Sequence, residues 1–170
     1  MSFIATLVNF FKLFQGTKER ASPSDILKDD AFAVNGVIVT IDCAKTHIPF
    51  IHEPVVTMAA FADTNSMDGF FDIGHNCILI RGWDEENHKI MLDWLETEWN
   101  TRKDTDDKAA NICVYIGPVM SAIHAIHDVG HDDEGRWWKF KGINNPAVDP
   151  YKVRDKNIHY LAVSNKGFLF

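Results

Sequence analysis

Hydrophobic residues recur at two spacings along this chain, and the spacing predicts which segments form helices and which form strands. Near the start, intervals of three or four residues, typical of an amphipathic helix, connect Phe3, Leu7, Phe10, Phe11 and Phe14. The run is shorter than the roughly 20 apolar residues of a membrane-spanning helix, and it lacks a basic leader and a cleavage site. We therefore expect residues 1–22 to form an amphipathic arm and linker that docks on protein.

Runs rich in β-branched residues predict strands in much of the remaining chain. Val34 to Ile41 predicts a strand or a hairpin turning at Asn35-Gly36, and an extended segment begins at Val55. A buried strand is expected from Cys77 to Ile80. Further strands are expected at Ile112 to Ile116, Arg136 to Lys141, Tyr151 to Val153, Ile158 to Val163 and Phe168 to Phe170.

Two segments have the pattern of longer helices. In the first, Asp84 is the expected N-cap and is followed by two acidic residues, and an apolar stripe continues through Met91, Trp94, Leu95 and Trp99. In the second, Val119, Ile123 and Ile126 would form the buried side of a helix that ends at Gly130. The order of elements predicts one α+β domain over residues 23–170, with a mixed or antiparallel sheet, two main helices and the N-terminal amphipathic helix.

Composition agrees with one folded domain and disfavours nucleic acid as a partner. Hydrophobic residues make up 46% of the 170 residues, and twelve Phe with five Trp supply rings for the core or for a partner surface. The formal charge of −7 opposes attraction to phosphates, and the Lys and Arg residues do not cluster strongly. We expect no sequence-specific nucleic acid partner. Cys43, Cys77 and Cys113 lie in apolar runs, which favours buried free thiols in a reducing compartment.

The densest group of chemically active residues is His124, His127 and His131, in the second predicted helix. Steps of three and four residues would place the three imidazoles on one helix face, where they could bind zinc or another divalent transition metal and leave a position for water. Asp128 or Glu134 would then assist that water as a base. The same spacing also suits an exposed polar face without a metal.

One resemblance favours the metal hypothesis. His127-Asp128-Val129-Gly130-His131 resembles the His-Asp core of metal-dependent phosphohydrolases of the HD type. The resemblance implies another His upstream and an Asp downstream, for which His88 with Asp149 or Asp155 are the candidates. The chain contains no Gly-x-Ser-x-Gly motif, and the residue order reveals no serine or cysteine triad.

A second resemblance covers about half of the chain. From Cys77 onward, a strand leads through an acidic turn to a helix with Leu92-Asp93-Trp94, and later come the segment from Trp138 to Pro146 and the aromatic end Gly167-Phe168-Leu169-Phe170. This order resembles the tail-tube and tail-completion proteins of contractile bacteriophages. The resemblance implies a small sheet domain that assembles into a ring with an acidic lumen.

The leading hypothesis is therefore a phage structural subunit of a tail tube, terminator or connector, without catalytic residues. Its partners would be copies of itself and neighbouring structural proteins, and membrane contact is disfavoured. It would be located in the virion and made in the host cytoplasm. The alternative hypothesis is a cytoplasmic metal-dependent hydrolase, phosphoesterase-like, that uses the His-rich helix.

Overall fold

The computed structural model of the protein describes residues 32–35, 38–41, 48–60, 66–67, 76–104 and 111–167. The N-terminal arm and the strand expected at Phe168 to Phe170 lie outside these residues. In the described part of the chain, no helix is long and apolar enough to cross a membrane.

Two antiparallel sheets and one α-helix make up the described structure. β1 (Phe32–Asn35) and β2 (Ile38–Ile41) pair as an antiparallel hairpin, which is one of the two forms expected for Val34 to Ile41; Gly36 lies outside the described residues. The second sheet consists of β3 (Val55–Ala60), β4 (Asn76–Arg81), β5 (Ile112–Ile116), β6 (Ser121–Asp132), β7 (Gly135–Lys141), β8 (Val153–Arg154) and β9 (Ile158–Gly167). Its strands are arranged in the order β3-β4-β9-β5-β6-β7-β8, and every neighbouring pair is antiparallel. The predicted α+β class with an antiparallel sheet is therefore confirmed.

The helix α1 (Glu85–Arg102) forms where the sequence predicts it. The Asp84 carboxylate accepts a hydrogen bond from the Asn87 backbone N–H at 2.8 Å, and this bond caps the first turn. Two acidic residues follow the cap, and Arg102 lies in the last turn, so the charges complement the helix dipole. The buried side of α1 packs against β4 and β6, and it contributes Met91, Leu92 and Leu95 to the core.

The second predicted helix is wrong, because Ser121 to Asp132 is the long central strand β6. Ile126 pairs with Phe140 and Asp128 pairs with Lys139, so His127 is an extra residue in β6 at a β-bulge. A bulge shifts the two-residue alternation of a strand by one position, which can imitate the three-residue step of a helix. Pairing with β5 on one edge and β7 on the other supports the extended backbone.

Aromatic and aliphatic side chains from the central strands and α1 form the core. The largest fully buried side chains in the described residues include Trp138, Tyr115 and Phe140, and the rings of Tyr115 and Phe140 stack with centroids 4.2 Å apart. Cys77 and Cys113 are buried, and Cys113 is a free thiol, as the sequence predicts; Cys43 lies outside the described residues. Burial raises the pKa of the Cys113 thiol, so the reactive thiolate is scarce and the side chain serves to pack the core.

Candidate functional site

A largely buried polar cluster joins Ser66, Tyr115, His124 and Asp149. Nδ1 of His124 lies 2.8 Å from Oδ2 of Asp149, and Nε2 of the same ring lies 3.1 Å from Oγ of Ser66. The side chains of His124 and Asp149 are only 11% and 13% exposed. The imidazole therefore stands between the Ser66 hydroxyl on its Nε2 side and the Asp149 carboxylate on its Nδ1 side, where the Tyr115 hydroxyl also lies 3.2 Å from Nδ1.

Hydrogen-bond chemistry decides which ring nitrogen of His124 carries the proton. The Asp149 carboxylate accepts a hydrogen bond from the Tyr115 hydroxyl, and it also accepts from Nδ1, since a carboxylate has no proton to donate. With the proton on Nδ1 of a neutral ring, Nε2 presents a lone pair to the Ser66 hydroxyl. This is the polarity required of a base that accepts a proton from serine.

The sheet holds His124 and Tyr115 in place. His124 on β6 pairs with Cys113 on β5, and Tyr115 lies two residues further along β5, so His124 and Tyr115 are diagonal neighbours on one face. Burial, followed by the hydrogen bond to Asp149, raises the pKa of Tyr115. The Tyr115 hydroxyl therefore stays protonated and continues to donate to the carboxylate.

The segment after β7 positions the other two members of the cluster. The Asp149 backbone N–H donates to the Phe140 carbonyl at 2.9 Å, which returns the chain to the end of β7. The Asn144 N–H donates to the Ser66 carbonyl, also at 2.9 Å. Gly142 permits this approach, because a Cβ at that position would lie 2.7 Å from the Ser66 carbonyl oxygen. The segment after β7 thus carries Asp149 and also holds the backbone of Ser66.

A separate charged cluster surrounds the Arg136 side chain, which is only 7% exposed. Its guanidinium donates to Asp93 at 2.8 Å, to Glu96 at 2.9 Å and to Asp155 at 2.7 Å. Burial alone would raise the pKa of the Asp93 and Glu96 carboxyls, but their hydrogen bonds to cationic partners, Arg136 among them, lower it overall. The arrangement joins α1, β7 and the single turn of 3₁₀-helix at Asp155–Asn157.

The structure gives the three histidines of β6 different surroundings. His124 belongs to the polar cluster, His127 is exposed at the bulge, and Nε2 of His131 lies 2.7 Å from Oε1 of Glu96. Among the residues that the structure describes, no three His, Cys, Asp or Glu side chains are grouped to hold a metal ion. The one-face arrangement expected for His124, His127 and His131 depended on a helix, and it is wrong.

The two acidic residues expected to assist water also have separate partners. Oδ1 of Asp128 accepts from the N–H of the next residue, Val129, at 2.9 Å. Glu134 accepts from Arg154 at 2.7 Å beside Asp132, whose pKa is lowered by hydrogen bonds from Arg154 and Lys152. These contacts hold the surface turn between β6 and β7 and its neighbour β8.

Sequence reasoning identified His124 but missed its arrangement with Ser66 and Tyr115, and it considered Asp149 only as a metal ligand. Ser66 is 58 residues and Asp149 is 25 residues away from His124 along the chain. No motif connects positions so far apart; the nearest sequence signal is a polar residue, His124, amid apolar strand residues. Comparison with protein-family models, with curated proteins and with solved structures finds no match. The geometry is therefore the basis for any assignment of function.

Proposed function

We propose that the protein is a structural subunit that associates with copies of itself through one end of its larger sheet. The observation that carries this proposal is a cluster of solvent-exposed apolar side chains at that end, which we call the apolar end. Its members in the described residues are Ile51 (57% exposed), Trp83 (69%), Ile116 (46%), Val119 (87%) and Met120 (61%). Large apolar side chains grouped on a surface mark interaction sites.

Strand register places these residues at the same end. Ile80 of β4 and Cys113 of β5 both pair with Leu161 of β9, so β4 and β5 run in the same direction and finish at the same end of the sheet. Trp83 follows β4, and Val119 lies in the turn that follows β5.

Ile51 also lies at this end, because it closely precedes β3 in the chain. Val55, the first residue of β3, pairs with Arg81, the last residue of β4. The backbone N–H of Ile51 donates at 2.7 Å to the side chain of Asn87 in the first turn of α1. Three strand spacings separate β3 from β5, so the apolar end is roughly 14 Å wide along the sheet.

A second copy of the chain is the partner we infer, because it carries the same apolar surface. Two apolar ends in contact would produce a closed pair, whereas an apolar end docked on a different surface of the next copy would produce a ring. The resemblance to phage tail-tube and tail-completion proteins favours the ring. On this proposal the assembly is part of a tail tube, terminator or connector in the virion, formed by subunits made in the host cytoplasm.

Native mass spectrometry of the untagged protein tests the proposal, with electron microscopy to recognise rings. We expect a metal-free oligomer that the Val119→Asp substitution dissociates, since burying one such side chain contributes about 2 kcal/mol, or roughly 30-fold in each dissociation constant. Asp133→Ala is the matched control, because Asp133 is exposed in the β6–β7 turn at the opposite end of the sheet. A wild-type protein that stays monomeric over the accessible concentration range would contradict the proposal.

A further inference from the structure

We infer that Ser66, His124 and Asp149 form a second functional site, in which Ser66 is a nucleophile for acyl transfer from carboxylic esters. This inference is independent of the proposed assembly, because the site does not involve the residues of the apolar end. It rests on the order of the atoms: Oγ of Ser66, then Nε2 and Nδ1 of His124, then Oδ2 of Asp149.

Each distance is suitable for the role of the atom. The 3.1 Å between Oγ and Nε2 allows the serine proton to pass to the ring as Oγ attacks. The 2.8 Å between Nδ1 and Oδ2 fixes the ring orientation and stabilises the imidazolium that forms. Serine, base and orienting carboxylate are recognised by this geometry on unrelated folds, whatever their order along the chain.

Burial strengthens the interaction between His124 and Asp149. With 11% and 13% of the two side chains exposed, little water screens the developing positive charge on the ring from the carboxylate. The Tyr115 hydroxyl also donates a hydrogen bond to Oδ2 of Asp149, which holds the carboxylate against β5. Tyr115 and Asp149 are therefore positioning residues, whereas Ser66 and His124 are the catalytic residues.

The reaction balances with the ester and water alone. Oγ of Ser66 bonds to the ester carbonyl carbon, its proton moves to Nε2 of His124, and the C–O bond to the alcohol breaks as that proton passes to the leaving oxygen. Water then attacks the acyl-serine, again giving a proton to Nε2, and this proton returns to Oγ as the acid departs. One ester and one water become one alcohol and one acid.

Hydrogen bonds at Ser66 and at the residue after it also fix the backbone position of Ser66, as a nucleophile requires. Its backbone carbonyl is held by Asn144, and the adjacent Met67 accepts from the Ile143 N–H through its sulfur at 3.5 Å. Ser66 and Met67 thus have separate attachments to the segment that also carries Asp149. Such pre-organisation lowers the entropy cost of reaching the attacking geometry.

A fluorophosphonate probe tests the inference directly on the folded protein. The serine oxygen should displace fluoride from phosphorus, and peptide mapping of the wild type should locate the adduct on Ser66. We expect Ser66→Ala to abolish labelling and His124→Gln to slow it by on the order of 10³-fold. Ser121→Ala is the matched control, because Ser121 is exposed at the start of β6 and should leave labelling unchanged.

A purely structural role for the cluster predicts a different result. In that case Asp149→Asn would lower the melting temperature without changing the labelling rate of the folded fraction, whereas a positioning role lowers that rate by at least about tenfold. Hydrolysis of p-nitrophenyl acetate by the wild type, lost in Ser66→Ala, would extend the result to turnover. An unlabelled folded wild type, an adduct on another residue, or labelling that His124→Gln leaves unchanged would overturn the inference.

Discussion

Replacing Arg136 by leucine should destabilise the fold, because one buried guanidinium holds three carboxylates together. Arg136 lies on β7 and donates to Asp93 and Glu96 on α1 and to Asp155 in the 3₁₀ turn. Its guanidinium also lies 5.2 Å from the ring centroid of Trp138, which itself donates to Asp155 at 2.6 Å. Loss of the cation leaves three negative charges close together without their shared partner.

The magnitude follows from the exposure of the groups left behind. Breaking a buried ion pair costs about 3–5 kcal/mol, and most of the cost is the remaining charge that water cannot reach. Here the carboxylates are 23–46% exposed, so water recovers part of that cost. We therefore expect the lower value, about 3 kcal/mol in the free energy of unfolding. Arg136→Lys keeps the charge but not the forked geometry, and we expect a loss of about 1–2 kcal/mol.

The same variant should change how stability depends on pH. The folded pKa values of Asp93 and Glu96 lie below their ordinary values of 3.8 and 4.5. At a pH between the folded and the ordinary pKa values, the unfolded chain binds more protons than the folded chain. The stabilisation that Arg136 gives through these carboxylates is therefore complete above about pH 5, and it is lost as the pH falls through the folded pKa values. Arg136→Leu lacks this stabilisation at every pH. Its free energy of unfolding should therefore fall less than that of the wild type when the pH is lowered from 5 to 3.

Urea unfolding followed by tryptophan fluorescence measures both effects. A loss of about 3 kcal/mol moves the midpoint by roughly 1.5 M at a slope of about 2 kcal/mol/M. Lys103→Leu, which removes an exposed cation just after α1, is the control and should move the midpoint little. A change below about 1 kcal/mol for Arg136→Leu, or an unaltered acid dependence, would refute the reasoning that the buried cation neutralises these carboxylates.

Three further substitutions test other parts of the fold. Burial lowers the pKa of His88 below its ordinary value of 6.5, so this residue should make the protein less stable as the pH falls below about 6.5, and His88→Gln should flatten stability curves measured from pH 7.5 to 5.5. Asn87→Ala should cost about 2 kcal/mol, because the buried amide oxygen accepts from the N–H groups of Ile51 and His52; faster hydrogen exchange at those two amides would verify the cause, and unchanged exchange would contradict it. Gly142→Ala should cost about 1–3 kcal/mol and slow fluorophosphonate labelling, since its Cβ would meet the Ser66 carbonyl; normal stability and labelling would show that the segment accommodates a methyl group.

Local signals in the sequence are sufficient to predict α1 and several strands. The N-cap Asp84, the acidic first turn and the stripe from Met91 to Trp99 act within one helix, so no distant partner is needed to recognise it. β4 and β5 are short apolar runs whose ends are marked by turn residues. Their pairing through β9 is decided by the tertiary fold, and composition does not encode it.

The β-bulge explains why the sequence of β6 has the pattern of a helix. In β6 the residues Ala125 and Ile126 are both buried although they are adjacent, and His127 is the extra residue that follows them. A buried pair next to an inserted residue interrupts the two-residue pattern, and Ile123 and Ile126 then stand three residues apart as in a helix. The hydrogen-bonded pairing of β6 with β5 and β7, its neighbours along the chain, distinguishes the two conformations.

The change from helix to strand also alters what the histidines can do. His124 and His131 are seven residues apart, about 10 Å along a helix axis but about 23 Å along an extended strand. Ligands of one zinc ion lie within roughly 2 Å of the metal, so the ends of such a strand segment cannot share an ion within one chain. Extension instead places His124 beside Ser66 and Asp149, and it places His131 beside Glu96 and the Arg136 cluster. One strand therefore supplies a candidate base to one cluster and a surface contact to another, and these two roles are open to separate mutation.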